Sequence, residues 1–181
     1  MQIHQRDITE GPPVEGEFDL IHARLVMLHL PQRLEVLTTL VDALAPGGWL
    51  VIEDFGMPLP RMIPTREAAE FAVFDRLIGV GHGVVGPAAG QSLRWAHEVA
   101  DHMDTHGLVD VHQRQHSQVV RGSDTAARHL HNLMTQIAPH LAAGGMSQDE
   151  LRRCGEVLMD PRFRAWFYLL VGTRGRKPGR R

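Results

Sequence analysis

Apolar residues in this chain occur in short, near-continuous runs and in helical spacing, and the two patterns alternate. One run, Phe18–Leu30, follows a Gly/Pro-rich loop, and a second, Trp49–Phe55, lies between two glycines. Near-continuous apolar runs are typical of strands buried on both faces. The partly alternating residues Gln2–Ile8 predict a short strand that ends at Asp7.

Between the two runs, apolar residues recur at the spacing of one helical face. Leu37, Leu40, Val41 and Leu44 stand at i, i+3, i+4 and i+7, which predicts a helix over residues 32–45. Pro46-Gly47-Gly48 is expected to end that helix and turn the chain into the next strand. Strand, helix, glycine stop and strand together indicate a crossover between parallel strands.

The alternation of helices and strands continues to the end of the chain. The further predicted elements are a helix from about Arg66 to Ile78, a glycine-rich loop at 79–90, a helix over 92–106, a polar edge strand over 108–120, a helix from Ser123 or Asp124, a helix opened by a Ser147/Glu150 capping box, and a central strand over 164–175. The pattern predicts an α/β fold in a single domain covering residues 1–181.

Composition narrows the classes of partner. The 181 residues include 43% hydrophobic residues, enough for one core, and 19 Lys and Arg stand against 21 Asp and Glu. A net charge of −2 provides no basic field for nucleic acid or an anionic membrane surface. A single cysteine, Cys154, excludes an internal disulfide, and no apolar segment has the pattern of a signal peptide or a membrane span. We expect a cytoplasmic protein.

Two phrases resemble the second half of class I S-adenosylmethionine-dependent methyltransferases. Phe18–Pro31 resembles the family's fourth strand and the start of the helix after it, and Leu44–Asp54 resembles the turn into its fifth strand. GLVDV at 107–111 and the segment 159–178 resemble the small-molecule members. The resemblance implies a partial Rossmann-like methyltransferase fold, with a mostly parallel sheet, one antiparallel strand and helices on both faces.

The same resemblance implies positions for the cofactor, S-adenosylmethionine. Asp7 and Ile8 would contact the adenine, Ala23 and Arg24 would line the methionine side, and His29 would lie at the pocket mouth and is the candidate catalytic base. Two alternatives stay open, since Asp7 could form a local Asx turn and His29 could be a packed core histidine. His82 and His97 are further candidate bases.

The family's glycine-rich segment, E/D-x-G-x-G-x-G, does not precede these phrases. We therefore expect weak or absent S-adenosylmethionine binding by this chain alone, and we expect Asp19–Ala23 to lie on an exposed sheet edge. An incomplete reading frame, a half-domain completed by another polypeptide and a relative without catalysis are competing explanations.

The expected function is methyl transfer to a small organic acceptor. One alternative is a non-catalytic module that pairs through the exposed edge, either as a homodimer or with another methyltransferase chain. A second alternative is a metal or haem site, because two pairs of histidines, His102 with His106 and His129 with His131, have spacings that permit chelation.

Overall fold

The computed structural model describes residues 2–14, 16–63 and 68–180. They form two compact units, one from residues 1–56, 91–116 and 170–181 and the other from residues 57–90 and 117–169. The single-domain organisation stays a prediction.

The described residues form seven strands and seven α-helices. The strands are β1 Phe18–Arg24, β2 Leu44–Gly56, β3 Arg61–Met62, β4 Val109–His116, β5 Val119–Arg121, β6 Arg164–Trp166 and β7 Leu169–Arg176. The helices are α1 Arg33–Asp42, α2 Ala68–Val80, α3 Gly86–Ala88, α4 Trp95–Thr105, α5 Thr125–Gln136, α6 Ala138–Ala143 and α7 Gln148–Met159. A π-helical segment covers Gly81–Val85, and 3-10 turns cover Ile8–Glu10 and Met27–His29.

The first unit is built on a four-stranded sheet with the order β1-β2-β7-β4. β1 and β2 are parallel and are joined through α1, as the sequence predicts. β7 is antiparallel to β4, and the start of β2 lies beside the end of β7, where Gly47 and Lys177 are linked by a backbone hydrogen bond of 2.9 Å. Within the four-stranded sheet of the described residues, β7 is thus the one strand that runs against the others, and the predicted α/β methyltransferase-like fold is confirmed.

The core of this unit lies against one face of the sheet. Leu50 and Ile52 of β2 are fully buried with Leu37 of α1 and with Trp95 and Val99 of α4. Alternate residues of β2 point to the other face and are only partly buried. One face is therefore closed by α1 and α4, which share a single apolar cluster.

β1 lies at the edge of the sheet. The prediction from its apolar run that this strand is buried on both faces is therefore wrong. Leu20 is 60% exposed, and Asp19, His22 and Arg24 are exposed as well. A strand with one neighbour can bury only the residues that face a helix layer. The expected exposed edge at Asp19–Ala23 is confirmed.

The two glycines that follow α1, Gly47 and Gly48, have steric reasons to be glycine, although they lie within β2 and not in the predicted turn before it. α1 ends at Asp42 and β2 already begins at Leu44, so Pro46-Gly47-Gly48 lies inside the strand. Gly47 has φ +86°, and a Cβ on Gly48 would lie 2.8 Å from the Phe18 carbonyl oxygen. The close approach of β1 to β2 at this point requires a residue without a side chain.

The predicted strand Gln2–Ile8 is wrong. Residues 2–7 have no regular structure, and a 3-10 turn follows at Ile8–Glu10. No strand of the described residues pairs with this segment, and an unpaired strand leaves its backbone groups without ladder hydrogen bonds.

The second unit contains a small antiparallel sheet of order β3-β6-β5 and the helices α2, α5, α6 and α7. The start of the helix predicted from Arg66 lies outside the described residues. Within the described residues, α2 covers Ala68–Val80. The glycine-rich stretch 79–90 was expected to be a loop but is largely helical. Val80 is buried and the helix continues through it, while a Cβ on Gly79 or Gly81 would meet nothing within 4 Å.

Two predicted strands are each divided between the sheets. The run 164–175 forms β6 and β7, and the run 108–120 forms β4 and β5. Phe167 marks the first division, because its amide donates to the Gln118 carbonyl and its carbonyl accepts from the Ser117 hydroxyl. These bonds fall where the chain leaves β6 of one sheet and before it enters β7 of the other.

Both predicted helix starts in this unit are confirmed. The Asp124 side chain accepts from the Ala127 amide at 2.9 Å at the start of α5. At the start of α7, the Ser147 hydroxyl accepts from the Glu150 amide while the Glu150 carboxylate accepts from the Ser147 amide at 2.7 Å. Capping residues fix helix starts more sharply than apolar spacing does.

Candidate functional site

The carboxyl ends of the parallel strands β1 and β2 lie side by side. Arg24 stands opposite Glu53, and the next amide, that of Leu25, donates to the Glu53 carbonyl at 2.8 Å. Ligands of open α/β sheets bind at such carboxyl ends, where loops leave the strands. Ala23, Arg24 and His29 all belong to this edge of the sheet, as the resemblance implies.

The turn after β1 is held in an uncommon backbone conformation. Leu25 has φ +54°, which is an outlier for a bulky residue. The 3-10 turn that follows buries Met27 and Leu28 completely, while His29 stays exposed, so the interpretation of His29 as a packed core histidine is wrong. Partial desolvation of the ring lowers the pKa of His29, which favours the neutral imidazole.

Glu53 is a member of the site that the sequence did not single out. Its carboxylate lies 2.9 Å from His22 Nε2 and 3.3 Å from an Arg24 guanidinium nitrogen. Arg24 is therefore linked across the two strands instead of pointing freely into solvent. This pairing depends on the register of β1 against β2, which a single sequence does not reveal.

Asp54 is the second acidic residue missing from the sequence-based site. It is 1% exposed, at the carboxyl end of β2 and on the core side of the sheet. Burial raises the pKa of Asp54 to about 7, against the effects of the Leu28 and Val26 amides, the Trp95 indole and the Arg33 charge. The available signal was the acidic pair that closes an otherwise apolar run.

Asp7 forms a local turn. Its carboxylate accepts from the Thr9 amide at 2.9 Å and from the Thr9 hydroxyl at 2.8 Å, and these bonds lower its pKa. This is the Asx-turn alternative, which is confirmed. Ile8 is partly buried against the core of the first unit. Contacts of Asp7 and Ile8 with a cofactor stay a prediction.

The other two candidate histidines lie in different units. In the first unit, His97 Nε2 lies so close to Gly56 that a Cβ there would be 2.6 Å away. In the second unit, His82 Nε2 lies 2.7 Å from the Tyr168 hydroxyl. His82 belongs to the π-helical segment, a feature frequent at functional sites.

The histidine pairs considered for metal binding do not assemble a site. His106 Nδ1 donates to the His102 carbonyl at 2.7 Å, and its Nε2 lies 3.0 Å from the Thr38 hydroxyl. Over residues 2–14, 16–63 and 68–180, no three His, Cys, Asp or Glu side chains are grouped to hold a metal ion. In the same parts of the chain, none of the helices has the length and apolar character needed to cross a membrane.

A parallel β-α-β crossover with polar residues at its carboxyl end is a Rossmann-like arrangement. The sequence model of the methyltransferase domain family matches residues 1–168. The chain belongs to this family, and the resemblance to class I S-adenosylmethionine-dependent methyltransferases is confirmed. S-adenosylmethionine is accordingly the methyl donor of the family.

Among curated relatives, methyltransferase str2 of Strobilurus tenacellus is 49% identical over 49 residues, which are 26% of this chain and 18% of the relative. The 27-O-demethylrifamycin SV methyltransferase of Amycolatopsis mediterranei is 30% identical over 138 residues, which are 76% of this chain and 46% of the relative. The chain thus spans less than half the length of these relatives.

Solved structures of low sequence identity share the fold. A Bacillus halodurans protein described as a methyltransferase superposes with a TM-score of 0.50 at 13% identity, and the match covers 96% of this chain and 70% of that protein. The YcgJ protein of Bacillus subtilis gives a TM-score of 0.50 at 12% identity, covering 95% of this chain and 69% of that protein.

Proposed function

We propose that this chain is the C-terminal portion of an S-adenosylmethionine-dependent methyltransferase that acts on a small organic acceptor. The observation that carries the proposal is the parallel β1-α1-β2 crossover, whose adjoining carboxyl ends bear Ala23, Arg24 and His29. The name of the Amycolatopsis relative, a methyltransferase acting on a rifamycin, supports a small-molecule acceptor.

The described residues fit the methionine part of the cofactor but not its adenine part. Ala23 and Arg24 are the last two residues of β1, at its carboxyl end, where the methionine part of the cofactor would be held. Asp7, the proposed adenine ligand, has its carboxylate bonded to Thr9. Because β1 is an edge strand here, the described residues offer backbone on one flank of the proposed ligand position alone. The isolated chain is therefore expected to bind S-adenosylmethionine weakly.

His29 is the proposed general base. Methyl transfer from a sulfonium is an in-line displacement, and a hydroxyl acceptor becomes a better nucleophile when a neutral base accepts its proton. The lowered pKa of His29 keeps the imidazole neutral near pH 7. His29 is exposed, so an acceptor can reach it from solvent.

Titration of the full chain with S-adenosylhomocysteine tests the proposal. In an NMR experiment we expect amide shifts at Ala23, Arg24 and His29 in fast exchange, with no shifts in α7, the internal control. Calorimetry is expected to show no saturation near one equivalent. Shifts confined to the second unit would contradict the proposed site, and tight stoichiometric binding would contradict the weak binding.

A second candidate function is a non-catalytic module that pairs through β1, as a homodimer or with another methyltransferase chain. The observation that favours it is the edge position of β1 with Leu20 60% exposed, since an uncovered apolar edge strand is a template for pairing. Sedimentation of the chain would then show a concentration-dependent dimer. Leu20→Lys should abolish it, whereas Leu34→Lys, an equally apolar exposed position on α1, should not. A monomer at all concentrations would reject the homodimer.

A further inference from the structure

The four-stranded sheet of the first unit has one face that its own helices leave uncovered. Among the described residues of this unit, α1 and α4 both pack on the face that carries Leu50 and Ile52. Successive side chains of a strand point to opposite faces, so Trp49 and Val51 of β2 point away from these helices. Parallel strands are normally covered on both faces. This second face, called the open face below, carries Leu20, Trp49, Val51, Arg114, Arg174 and Arg176.

The open face combines apolar and cationic groups at its middle. Trp49 is partly buried, and its ring has the guanidinium carbons of Arg174 and Arg176 at 5.2 Å and 5.9 Å from its centroid. Leu20, which stands opposite Trp49 on β1, is 60% exposed, and Val51 is partly buried. Tryptophan and arginine side chains contribute more than most to protein interfaces. The open face therefore has the composition of a contact surface.

The open face is positively charged, although the chain as a whole has a net charge of −2. Directly opposite residues of neighbouring strands share a face, so Arg114 lies on the same face as Gly172 and hence as Arg174. The charged side chains on this face are four arginines, at 24, 114, 174 and 176, and two carboxylates, Glu53 and Asp110.

The two carboxylates leave two of the arginines without an ion pair. Glu53 pairs with Arg24, and Asp110 pairs with Arg176 at 2.6 Å. Within residues 2–14, 16–63 and 68–180, Arg114 and Arg174 have no carboxylate partner, and both side chains are exposed. Two guanidinium groups are therefore available to a partner that brings negative charge.

These features favour one kind of partner over two others. Two copies of the chain meeting through their open faces would bring Arg114 and Arg174 close to the same groups of the other copy, and like charges in an interface are costly. Nucleic acid binds through many phosphate contacts, and the apolar row of Leu20, Trp49 and Val51 gains nothing from phosphates. An acidic partner with an apolar stripe matches both parts of the open face.

The dimensions of the sheet fit a helix. The eight residues of β7 extend over about 26 Å, and a helix of about 18 residues is about 27 Å long. We propose that the open face binds an amphipathic acidic α-helix of another polypeptide. The apolar stripe of this helix packs on Leu20, Trp49 and Val51, and its carboxylates pair with Arg114 and Arg174. The helix forms the second layer that the sheet lacks in this unit. The inference concerns a partner and goes beyond methyl transfer.

An NMR titration of the full chain with two synthetic helical peptides tests the proposal. Both peptides have about 18 residues and the same stripe of Leu and Ala, and they differ only in Glu or Lys along its flanks. The Glu peptide is expected to shift the amides of Leu20, Val51 and Arg174 and the indole of Trp49 until saturation, with no shifts in α7. The Lys peptide should bind at least about tenfold more weakly. Equal affinities, an absence of shifts or shifts confined to α5 and α7 would overturn the proposal.

Charge reversal on the open face provides the second test. Arg174→Glu should weaken binding of the Glu peptide by about tenfold and strengthen binding of the Lys peptide. Arg94→Glu provides the control because Arg94 is 85% exposed at the start of α4, and it should change neither affinity. If Arg174→Glu does not fold, the comparison of the two peptides on the unaltered chain still decides.

Two further measurements distinguish the other occupants. Tighter binding of a short oligothymidylate than of the Glu peptide at Trp49 and Arg174 would assign the open face to nucleic acid and overturn the proposal. Shifts at Trp49 and Arg174 that grow with protein concentration in the absence of peptide would assign it to a second copy, with the same consequence. Failure of S-adenosylhomocysteine to bind would leave all these results unchanged, so it is distinguishable from a failure of the proposed helix site.

Discussion

β1 and β2 are parallel neighbours with similar apolar sequences but different surroundings. β2 has a strand on each side, and alternate residues along it are fully buried against α1 and α4. β1 has one neighbour, and four of its seven residues are exposed. Leu20 is 60% exposed, whereas Leu50, on the partner strand, is completely buried.

The difference teaches that an apolar run predicts a strand but not the extent of its burial. Burial depends on which strands and helices flank the strand, and that is a property of the sheet. Each strand contains a leucine at which the consequence can be measured, Leu20 in β1 and Leu50 in β2.

The largest expected effect is the contrast between two leucine truncations. Leu50→Ala removes a fully buried side chain from the core and should lower the free energy of unfolding by about 4 kcal/mol. Leu20→Ala removes a mostly exposed side chain and should change it by less than about 0.5 kcal/mol. Urea unfolding of both variants at low protein concentration measures the difference.

The same pair of variants tests whether another chain covers β1. If Leu20→Ala becomes strongly destabilising at high protein concentration only, association buries this strand. If Leu20→Ala costs as much as Leu50→Ala at every concentration, β1 is not the exposed edge described here.

The second largest effect is expected at the carboxyl end of β2. The pKa of Asp54 is raised from 3.8 to about 7 in the folded chain, so the unfolded chain releases the proton first as the pH rises. The protonated Asp54 therefore stabilises the folded chain. This stabilisation is complete at pH values below the pKa of the unfolded chain and is lost as the pH rises through the pKa of the folded chain. Between about pH 5 and about pH 8 the loss should be on the order of 3 kcal/mol.

Thermal or urea unfolding across this pH range measures the loss. Asp54→Asn carries no titrating proton and should flatten the profile, whereas Asp101→Asn, at an exposed carboxyl on α4, should keep its slope. An unchanged slope in the Asn variant would assign the pH dependence to other groups.

Local signals in the sequence predicted the elements well where the physical cause is local. The spacing of Leu37, Leu40 and Val41 predicted α1, and the capping residues Asp124 and Ser147 fixed two helix starts within one residue. The parallel pairing of β1 and β2 followed from the intervening helix. These inferences needed only neighbours along the chain.

The predictions that failed concern features that depend on contacts with residues distant in the sequence. The run 164–175 is one apolar stretch, but Phe167 bonds to the segment at Ser117 and Gln118, so the run serves two sheets. In the site, Ala23, Arg24 and His29 could be named from family phrases. The sequence shows Glu53 and Asp54 only as an acidic pair at the end of an apolar run, and their roles come from strand register and burial.

A smaller effect is expected where β1 approaches β2 most closely. A Cβ on Gly48 would lie 2.8 Å from the Phe18 carbonyl oxygen and 2.9 Å from that of Ala45, and backbone cannot move aside cheaply. Gly48→Ala should therefore lower the free energy of unfolding by about 2 kcal/mol. Gly79→Ala, inside α2 with open space around it, should raise stability by up to about 1 kcal/mol. Equal effects of the two variants would show that β1 does not approach β2 this closely.

The smallest effect concerns the side-chain link between the two strands. Glu53 pairs with His22 at 2.9 Å and with Arg24 at 3.3 Å, but the Arg24 side chain is 57% exposed, and such surface pairs contribute little. Glu53→Gln should lower the free energy of unfolding by about 0.5 kcal/mol. It frees the Arg24 guanidinium, so amide shifts at Arg24 on addition of S-adenosylhomocysteine should grow.

Arg152, whose carboxylate partners Asp149 and Glu156 lie within α7, provides the control pair: Glu156→Gln should change stability by a similar amount without altering any shift at β1. A loss of several kcal/mol on Glu53→Gln would mean that the pair, and not the backbone ladder, holds β1 to β2.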